Sequence, residues 1–201
     1  MELGRYRAQV GSCLLELPIV EVSEDLAIAL LLTVEQPISV LAQLGRELAE
    51  HLEPRGPEAV VTIATMGIPL GIEVARALEL DEYVVVHKTP KIHLHDAVAA
   101  PVRSITTAAP QTLLLDRTRG AALAGVKVAL IDDVVSTGAT MVAALSLLRA
   151  VDAEVVGIGA LCTEGAAWRD ALGADAALVH ALGVLPLLVR QPDGALTADW
   201  A

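Results

Sequence analysis

The chain contains no phenylalanine, and only 2% of its 201 residues are aromatic, although 54% are hydrophobic. Its core must therefore be built from Ala, Val, Leu and Ile, and so high an apolar content excludes a disordered chain. Its two cysteines, Cys13 and Cys162, have no close neighbour that would suggest a metal site or a redox pair. We therefore expect a reducing compartment.

Long apolar runs are also lacking. The run at 26–34 is too short to span a membrane. The N-terminus carries acids at Glu2 and Glu16 and no early apolar run, so no signal peptide is predicted. These absences predict a soluble, cytoplasmic protein without a membrane partner.

Basic residues are few, and the formal net charge is −11. This charge argues against general nucleic-acid binding, which needs a basic surface. The distribution is uneven, because the segment 87–127 holds six Lys or Arg against two acids, and three of the five His. Charge alone leaves two interpretations of this segment open, an anion site or an ordinary solvated surface.

The hydrophobic pattern predicts a single α/β domain over residues 1–201. A helix is predicted to open at Pro37, with an apolar stripe of Ile38, Leu41, Leu44 and Leu48. Beyond residue 57, apolar runs of strand length alternate with helical segments, which indicates a mainly parallel sheet with helices on both faces. The predicted strands are 59–64, 83–88, 127–132, 154–161 and 176–179, and the predicted helices are 69–78, 140–151 and 167–172. Ligands of such sheets bind beyond the carboxyl ends of the strands.

The segment 89–125 interrupts this alternation. A connection of that length in a compact domain is commonly a functional lid or a disordered segment. Its strand-like pieces, 100–106 and 112–116, predict a flexible β-hairpin that closes over a site. Residues 1–35 and about 162–201 are expected to contribute to a small hood.

The segment 128–140 has the most specific pattern in the chain. A buried strand, 128–131, is followed by Asp132 and Asp133, and then by a loop rich in small and hydroxyl residues that leads into a helix. Adjacent carboxylates can accept hydrogen bonds from the vicinal hydroxyls of a ribose. Backbone N–H groups and hydroxyls at a helix N-terminus favour a phosphate, and Gly138 permits its close approach.

This segment resembles the phosphoribosyl pyrophosphate (PRPP) signature of the type I phosphoribosyltransferases, and the resemblance extends over about 29–184. It implies that Asp132 and Asp133 hold the ribose hydroxyls of PRPP and act as the catalytic pair. It also implies a loop for the 5′-phosphate, formed by Val135, Ser136, Thr137, Gly138, Ala139 and Thr140.

Two further elements resemble this family, in its purine branch of adenine and xanthine phosphoribosyltransferases. The loop after the first core strand, with Thr65, Met66 and Gly67, is similar to a pyrophosphate-binding loop. Lys88 follows the second core strand, with Lys91 nearby, and both are expected to contact pyrophosphate.

The resemblance also bears on the base. The stretch from Lys88 to Thr106 looks like the hood of the xanthine enzymes, and Thr107-Ala108-Ala109 stands where the adenine enzymes have Glu-Tyr-Gly. A 6-oxopurine is therefore favoured over adenine. Trp168 is the candidate for stacking on the base, and the alternative is a structural role, which is more common for a Trp. His93 and His95 could suggest a metal pair, but a polar face of the hood is the better interpretation.

The implied reaction is displacement of pyrophosphate from PRPP by a purine nitrogen. Magnesium is the implied cofactor, bound by oxygens of the pyrophosphate and ribose and not by direct protein ligation. We expect a homodimer. The alternatives are a PRPP-binding regulator that has lost catalysis, which would have to act through a protein partner because the N-terminal segment is too short for a DNA-binding domain, and a pyrimidine enzyme, against which the hood sequence argues.

Overall fold

The computed structural model describes residues 2–92, 94, 96–102 and 111–200. Its centre is a five-stranded parallel sheet in the order β10-β9-β8-β4-β5. The strands of this core sheet are β4 (Ala59–Ile63), β5 (Tyr83–Val86), β8 (Lys127–Val135), β9 (Glu154–Glu164) and β10 (Val179–Leu185). Runs of Val, Leu and Ile form these strands because the sheet is covered on both faces.

Helices cover the core sheet, as the sequence predicted. They are α1 (Ile38–Leu52), α2 (Gly67–Ala77), α3 (Arg117–Ala121), α4 (Ala139–Arg149) and α5 (Ala167–Leu172). One buried cluster packs α4 against the sheet, and a second packs α1 and α2 against the opposite face. In α1, Leu41, Leu44 and Leu48 are buried as predicted. Ile38, in the first turn, is 81% exposed and does not belong to the core.

A second, antiparallel sheet forms the hood, in the order β1-β2-β3-β11-β12. Its strands are β1 (Glu2–Val10), β2 (Cys13–Glu21), β3 (Leu26–Ala29), β11 (Leu187–Arg190) and β12 (Leu196–Asp199). The N-terminal segment supplies three of these strands, β1, β2 and β3. Of the segment 162–201, only β11 and β12 belong to the hood sheet, because β9, α5 and β10 are part of the core domain.

The final core strand begins later than the sequence predicted. Residues Gly173–Leu178 form a 3-10 helix, and β10 follows from Val179. The strand predicted at 176–179 lies mostly within this 3-10 helix, because the alanines there give no β-branched pattern and the 3-10 helix continues directly from α5.

The interrupting segment contains the predicted hairpin, with β6 (Ala97–Val102) paired to β7 (Gln111–Asp116). Its stem packs against α4, and Ala100, Leu113 and Leu115 are buried in the core. Leu123, beyond α3, is also buried. These apolar side chains anchor β7, α3 and the stem of the hairpin to the core, and the flexibility of 89–125 stays a prediction. His93, His95 and 103–110, with Thr107-Ala108-Ala109, lie outside the described residues.

No helix in the described part of the chain is long and apolar enough to cross a membrane.

Candidate active site

The polar residues singled out in the sequence meet at one edge of the core sheet. Strands β4, β5, β8 and β9 run parallel, so their carboxyl ends lie side by side. The loops after β4, β5 and β8 carry the three predicted binding elements. The end of β9 adds a carboxyl group that the sequence analysis did not select.

Asp132 and Asp133 lie near the carboxyl end of β8, which continues to Val135. Asp132 is buried, with 4% of its surface exposed, and Asp133 is half-buried. The backbone N–H of Asp133 donates to Oδ1 of Asp132 over 3.0 Å. Burial, and next the neighbouring Asp133 carboxylate, raise the pKa of Asp132 well above its usual value, while Lys88 acts in the opposite direction. The two carboxyl groups can accept hydrogen bonds, and a donor that binds them stabilises the ionised form of Asp132.

The loop 64–67 passes directly beneath this pair. A Cβ atom on Gly67 would lie 2.9 Å from Oδ1 of Asp132 and 2.7 Å from Oγ1 of Thr62. Only glycine therefore allows α2 to begin so close to the carboxyl group. The Thr33 hydroxyl, fully buried, donates to the carbonyl oxygen of Met66 and ties this loop to the segment before α1. The peptide bond between Ala64 and Thr65 is cis.

A cavity of about 320 Å³ opens between this loop and the end of β5. Lys88 and Lys91 are exposed at its wall, opposite the half-buried Asp133. Its lining residues are Ala64, Thr65, Met66, His87, Lys88, Thr89, Lys91 and Asp133. Four of the five residues predicted for pyrophosphate, all but Gly67, thus line one cavity together with one of the two acids. Two ammonium groups at the wall of a cavity suit a polyanion.

A smaller cavity, of about 100 Å³, lies under the N-terminus of α4. Gly138 precedes the helix with φ +79°, in the left-handed region, and the backbone N–H of Ala139 is 3.4 Å from Oγ1 of Thr137. The cavity is lined by Val134, Val135, Ser136, Thr137, Gly138, Thr140 and Met141. All predicted members of the 5′-phosphate loop except Ala139 line it, and the helix N-terminus favours an anion there.

Trp168 is not among the residues that line either cavity. Its side chain is 95% buried within the core cluster around α4, and the Arg169 guanidinium carbon is 4.3 Å from the centroid of its ring. Its backbone contacts the phosphate loop, because a Cβ on Gly138 would lie 3.1 Å from Cα of Trp168. This placement favours the structural role for Trp168 over stacking on a base.

Glu164 and Thr33 were missed by the sequence analysis. Glu164 ends β9 and is buried, with 7% of its surface exposed. The predicted strand stopped at residue 161, so this acid was not seen as a strand-end residue. An inspection of every acid within three residues of a predicted strand end would have found it. Thr33 carries no local signal, because its partner Met66 is distant in sequence.

Comparison with known proteins identifies the family. The model of the phosphoribosyl transferase domain matches residues 36–176. The chain belongs to the phosphoribosyl transferase domain family.

Two curated relatives are similar over its central part. The purine biosynthesis transcriptional repressor of Bacillus subtilis is 32% identical over 123 residues, which are 61% of this chain and 42% of the repressor. The xanthine phosphoribosyltransferase of Agathobacter rectalis is also 32% identical over 123 residues, covering 61% of this chain and 62% of that enzyme. The match therefore spans less than half of the repressor and less than two thirds of the enzyme.

Solved structures share the fold. The adenine phosphoribosyltransferase of Saccharomyces cerevisiae, complexed with an imino-altritol bisphosphate and adenine, aligns with a TM-score of 0.59 and 21% identity, over 75% of this chain and 82% of that one. At this identity the likeness concerns the fold alone.

Proposed function

We propose that this chain is a purine phosphoribosyltransferase, which transfers the phosphoribosyl group of PRPP to a purine nitrogen and releases pyrophosphate. One observation carries the proposal. Two anion cavities, one under the N-terminus of α4 and one beside Lys88 and Lys91, flank the Asp132–Asp133 pair at a single sheet edge. That order matches the order of groups in PRPP, which are a 5′-phosphate, a ribose diol and a pyrophosphate.

Each residue has a task that follows from its position. The loop 135–140 holds the 5′-phosphate through backbone N–H groups and hydroxyls. Asp132 and Asp133 accept hydrogen bonds from the ribose hydroxyls. Such donors favour the ionised carboxylate, so ribose binding offsets the burial that raises the pKa of Asp132. Lys88 and Lys91 oppose the charge that grows on the departing pyrophosphate.

Catalysis in this scheme comes from positioning and charge, without a nucleophilic side chain. The ribose is held at both ends, and its anomeric carbon faces the space between the core sheet and the hood. The transition state has oxocarbenium character, and the two aspartates carry negative charge on the ribose side of it. Exclusion of water by the hood would prevent hydrolysis of PRPP.

Magnesium is part of the proposal, as the family resemblance implies. The ion would take oxygens mainly from the pyrophosphate and the ribose hydroxyls, while Asp132 and Asp133 hold the ribose. When bound, it neutralises the leaving group.

The decisive experiment is a product assay. The purified chain, PRPP and magnesium are incubated with each of adenine, hypoxanthine, guanine, xanthine and orotate, and pyrophosphate and nucleotide are measured. Formation of a purine nucleotide supports the proposal. A product from orotate alone would move the chain to the pyrimidine enzymes. We also propose a homodimer in the cytoplasm, and sedimentation of the purified chain tests the assembly.

A second candidate is a PRPP-binding regulator without catalysis. It is favoured by one observation, the 32% identity to the purine biosynthesis repressor of Bacillus subtilis. The two candidates differ in a simple way. Both bind PRPP, but the regulator yields no nucleotide with any base. Tight PRPP binding without turnover in the assay would select it.

A further inference from the structure

Glu164 is a buried acid with no task in the reaction described above. It ends β9, next to β8, and the register pairs Val135 with Thr163. Glu164 is therefore beside Ser136, the first hydroxyl residue of the phosphate loop. The described residues include one other buried carboxyl side chain, Asp132 of the ribose site. A second acid next to an anion site calls for a physical reason, because it opposes phosphate binding when ionised.

Burial raises the pKa of the Glu164 carboxyl group, and a hydrogen bond from the Ser136 side chain lowers it. Its register partner in β10 is Leu185. Two further titratable groups belong to the same strand ends, Cys162 on β9 and Asp133 on β8, and Glu164 and Asp133 both raise the pKa of the Cys162 thiol.

The helix that follows β9 also carries charges. On α5, the Arg169 guanidinium lies over the Trp168 ring, and Asp170 is exposed. Neither contributes to the pKa of Glu164. The hydrogen bond to Ser136 is therefore the polar contact that decides what Glu164 can do.

The Ser136 hydroxyl has a single proton to donate. When Glu164 is ionised it can only accept, so Ser136 must give that proton to the carboxylate and cannot donate to a phosphate. When Glu164 is protonated, its O–H can donate to the Ser136 oxygen. The Ser136 proton is then free to point into the cavity under α4, which Ser136 lines.

We propose that Glu164 is a positioning residue for the phosphate loop, whose protonated carboxyl group turns the Ser136 hydroxyl toward a bound 5′-phosphate, so that phosphate binding takes up a proton at Glu164. The inference rests on the proposed function only in taking a 5′-phosphate as the ligand of this cavity. A phosphate dianion close to Glu164 also disfavours the ionised acid by repulsion, which acts in the same direction.

The sign of the pH effect follows from linkage. A ligand that binds better to the protonated protein loses affinity as the pH rises through the pKa of the group. A single linked proton limits the loss to about tenfold per pH unit. Ribose 5-phosphate is a suitable probe, because it carries the 5′-phosphate without pyrophosphate or the need for magnesium.

The test is titration calorimetry of ribose 5-phosphate between about pH 4 and pH 8, a range that includes the ordinary glutamate value and the second ionisation of a phosphate. Buffers with different heats of ionisation give the number of protons exchanged. Glu164→Gln is the informative variant, because its amide donates permanently to Ser136. Glu154→Gln is the matched control, since Glu154 is the exposed first residue of the same strand. Proton exchange at the ligand and at groups other than Glu164 is common to all three proteins and cancels in the comparison.

The expected result is greater proton uptake in the wild type and in Glu154→Gln than in Glu164→Gln. The Gln variant should also bind more tightly than wild type at the upper end of the range, with affinities that converge at the lower end. Ser136→Ala should show a smaller uptake than the wild type, because it loses the part that depends on the hydroxyl, and it serves if Glu164→Gln does not fold. Equal uptake and parallel pH profiles, with binding retained, would overturn the role of Glu164 alone. No binding of ribose 5-phosphate or PRPP by the wild type would overturn both this role and the proposed function.

Discussion

The buried carboxyl group of Asp132, at the edge of the core sheet, lowers the stability of the fold at neutral pH. Asp132 is buried beside a second carboxylate, and its pKa is raised. A carboxyl group with a raised folded-state pKa favours folding at low pH and costs stability as the pH rises past its unfolded value. Such a cost is retained when the charge has a use, and in the proposed function that use is to hold the ribose diol.

The first prediction concerns this pair. Asp132→Asn together with Asp133→Asn should abolish PRPP binding, since two charge-assisted hydrogen bonds are weakened, each worth roughly 1.5–3 kcal/mol. The double variant should unfold at a temperature equal to or above that of the wild type at pH 7, because the buried charge is removed. Calorimetric titration with PRPP and a thermal melt measure the two effects.

The control for that variant is a second pair of adjacent acids. Glu24→Gln with Asp25→Asn changes the same charge in an exposed turn of the hood and should leave PRPP affinity unchanged. Unaltered affinity in a folded Asp132–Asp133 variant would show that the pair does not bind ribose.

Cys162 gives a second residue-scale prediction. Burial, and then Glu164 and Asp133, raise the pKa of its thiol to about 12. The thiolate is the reactive form, so Cys162 should resist alkylation near neutral pH. The half-buried Cys13 should react first. Mass spectrometry after iodoacetamide treatment should find one modified thiol in the native protein and two in urea, whereas equal labelling of both in the native protein would contradict the burial of Cys162.

Among single residues, the sequence predicted those members of the candidate site that lie within one contiguous motif. Asp132, Asp133 and the phosphate loop are contiguous, so their grouping needed no knowledge of the fold. Lys88 was placed by its position after a predicted strand. Glu164 was missed through an error of three residues in the end of β9. The contact of Thr33 with Met66 depends on tertiary packing that no local pattern encodes.

At the scale of elements, the phosphate loop depends on the packing of α4 against α5. Gly138 has φ +79°, and an added Cβ would lie 3.0 Å from Cβ of Ala171 and 3.2 Å from the carbonyl oxygen of Trp168. The helix α5 therefore restricts the backbone conformation of the phosphate loop at Gly138. Small changes there should alter phosphate binding as well as stability.

Gly138→Ala tests this dependence. The left-handed backbone costs a non-glycine residue roughly 1–2 kcal/mol, and the close contact adds to it. We expect a lower melting temperature and a weaker affinity for ribose 5-phosphate. Gly125→Ala is the control, because Gly125 has φ +74° and nothing within 4 Å of its Cβ position.

Comparison of the two glycine variants separates the effect of backbone strain, which both have, from the effect of the contact with α5, which only Gly138→Ala has. Gly125→Ala should lose stability through its backbone alone and keep its affinity for ribose 5-phosphate. If Gly138→Ala lost no more stability than Gly125→Ala and bound the phosphate as the wild type does, the proposed coupling of loop and α5 would be wrong.

Elements with strong periodicity were predicted well, and elements defined by context were not. The helix α5 was predicted with its observed bounds, and α4 within two residues, because apolar spacing marks them. The displaced β10 follows a 3-10 helix rich in Ala, which has no clear preference for strand. The hairpin was predicted, but the anchoring of β7 by Leu113 and Leu115 emerged only from the packing.

At the scale of the whole molecule, the hood is assembled from both ends of the chain. β3 pairs with β11, so Leu26–Ala29 meets Leu187–Arg190 across most of the sequence. No local signal predicts such a pairing, and the sequence indicated only that both terminal segments contribute. A base would bind between this hood and the core sheet, so its recognition depends on segments distant in sequence.

The last prediction is the class of base. Fold likeness to adenine phosphoribosyltransferases does not decide it, because those of Saccharomyces cerevisiae and Rhodothermus marinus are 21% and 24% identical to this chain, which shows the fold alone. The xanthine phosphoribosyltransferase of Agathobacter rectalis is 32% identical, and the hood stretch from Lys88 to Thr106 resembles the xanthine enzymes. We therefore expect 6-oxopurines, xanthine or hypoxanthine, to be used ahead of adenine. A wrong purine edge leaves buried polar groups unpaired, at about 1–3 kcal/mol each, or about ten- to a hundredfold in rate ratio. The measurement is kcat/KM for adenine, hypoxanthine, guanine and xanthine at saturating PRPP, and a tenfold or greater lead for adenine would refute the expected order.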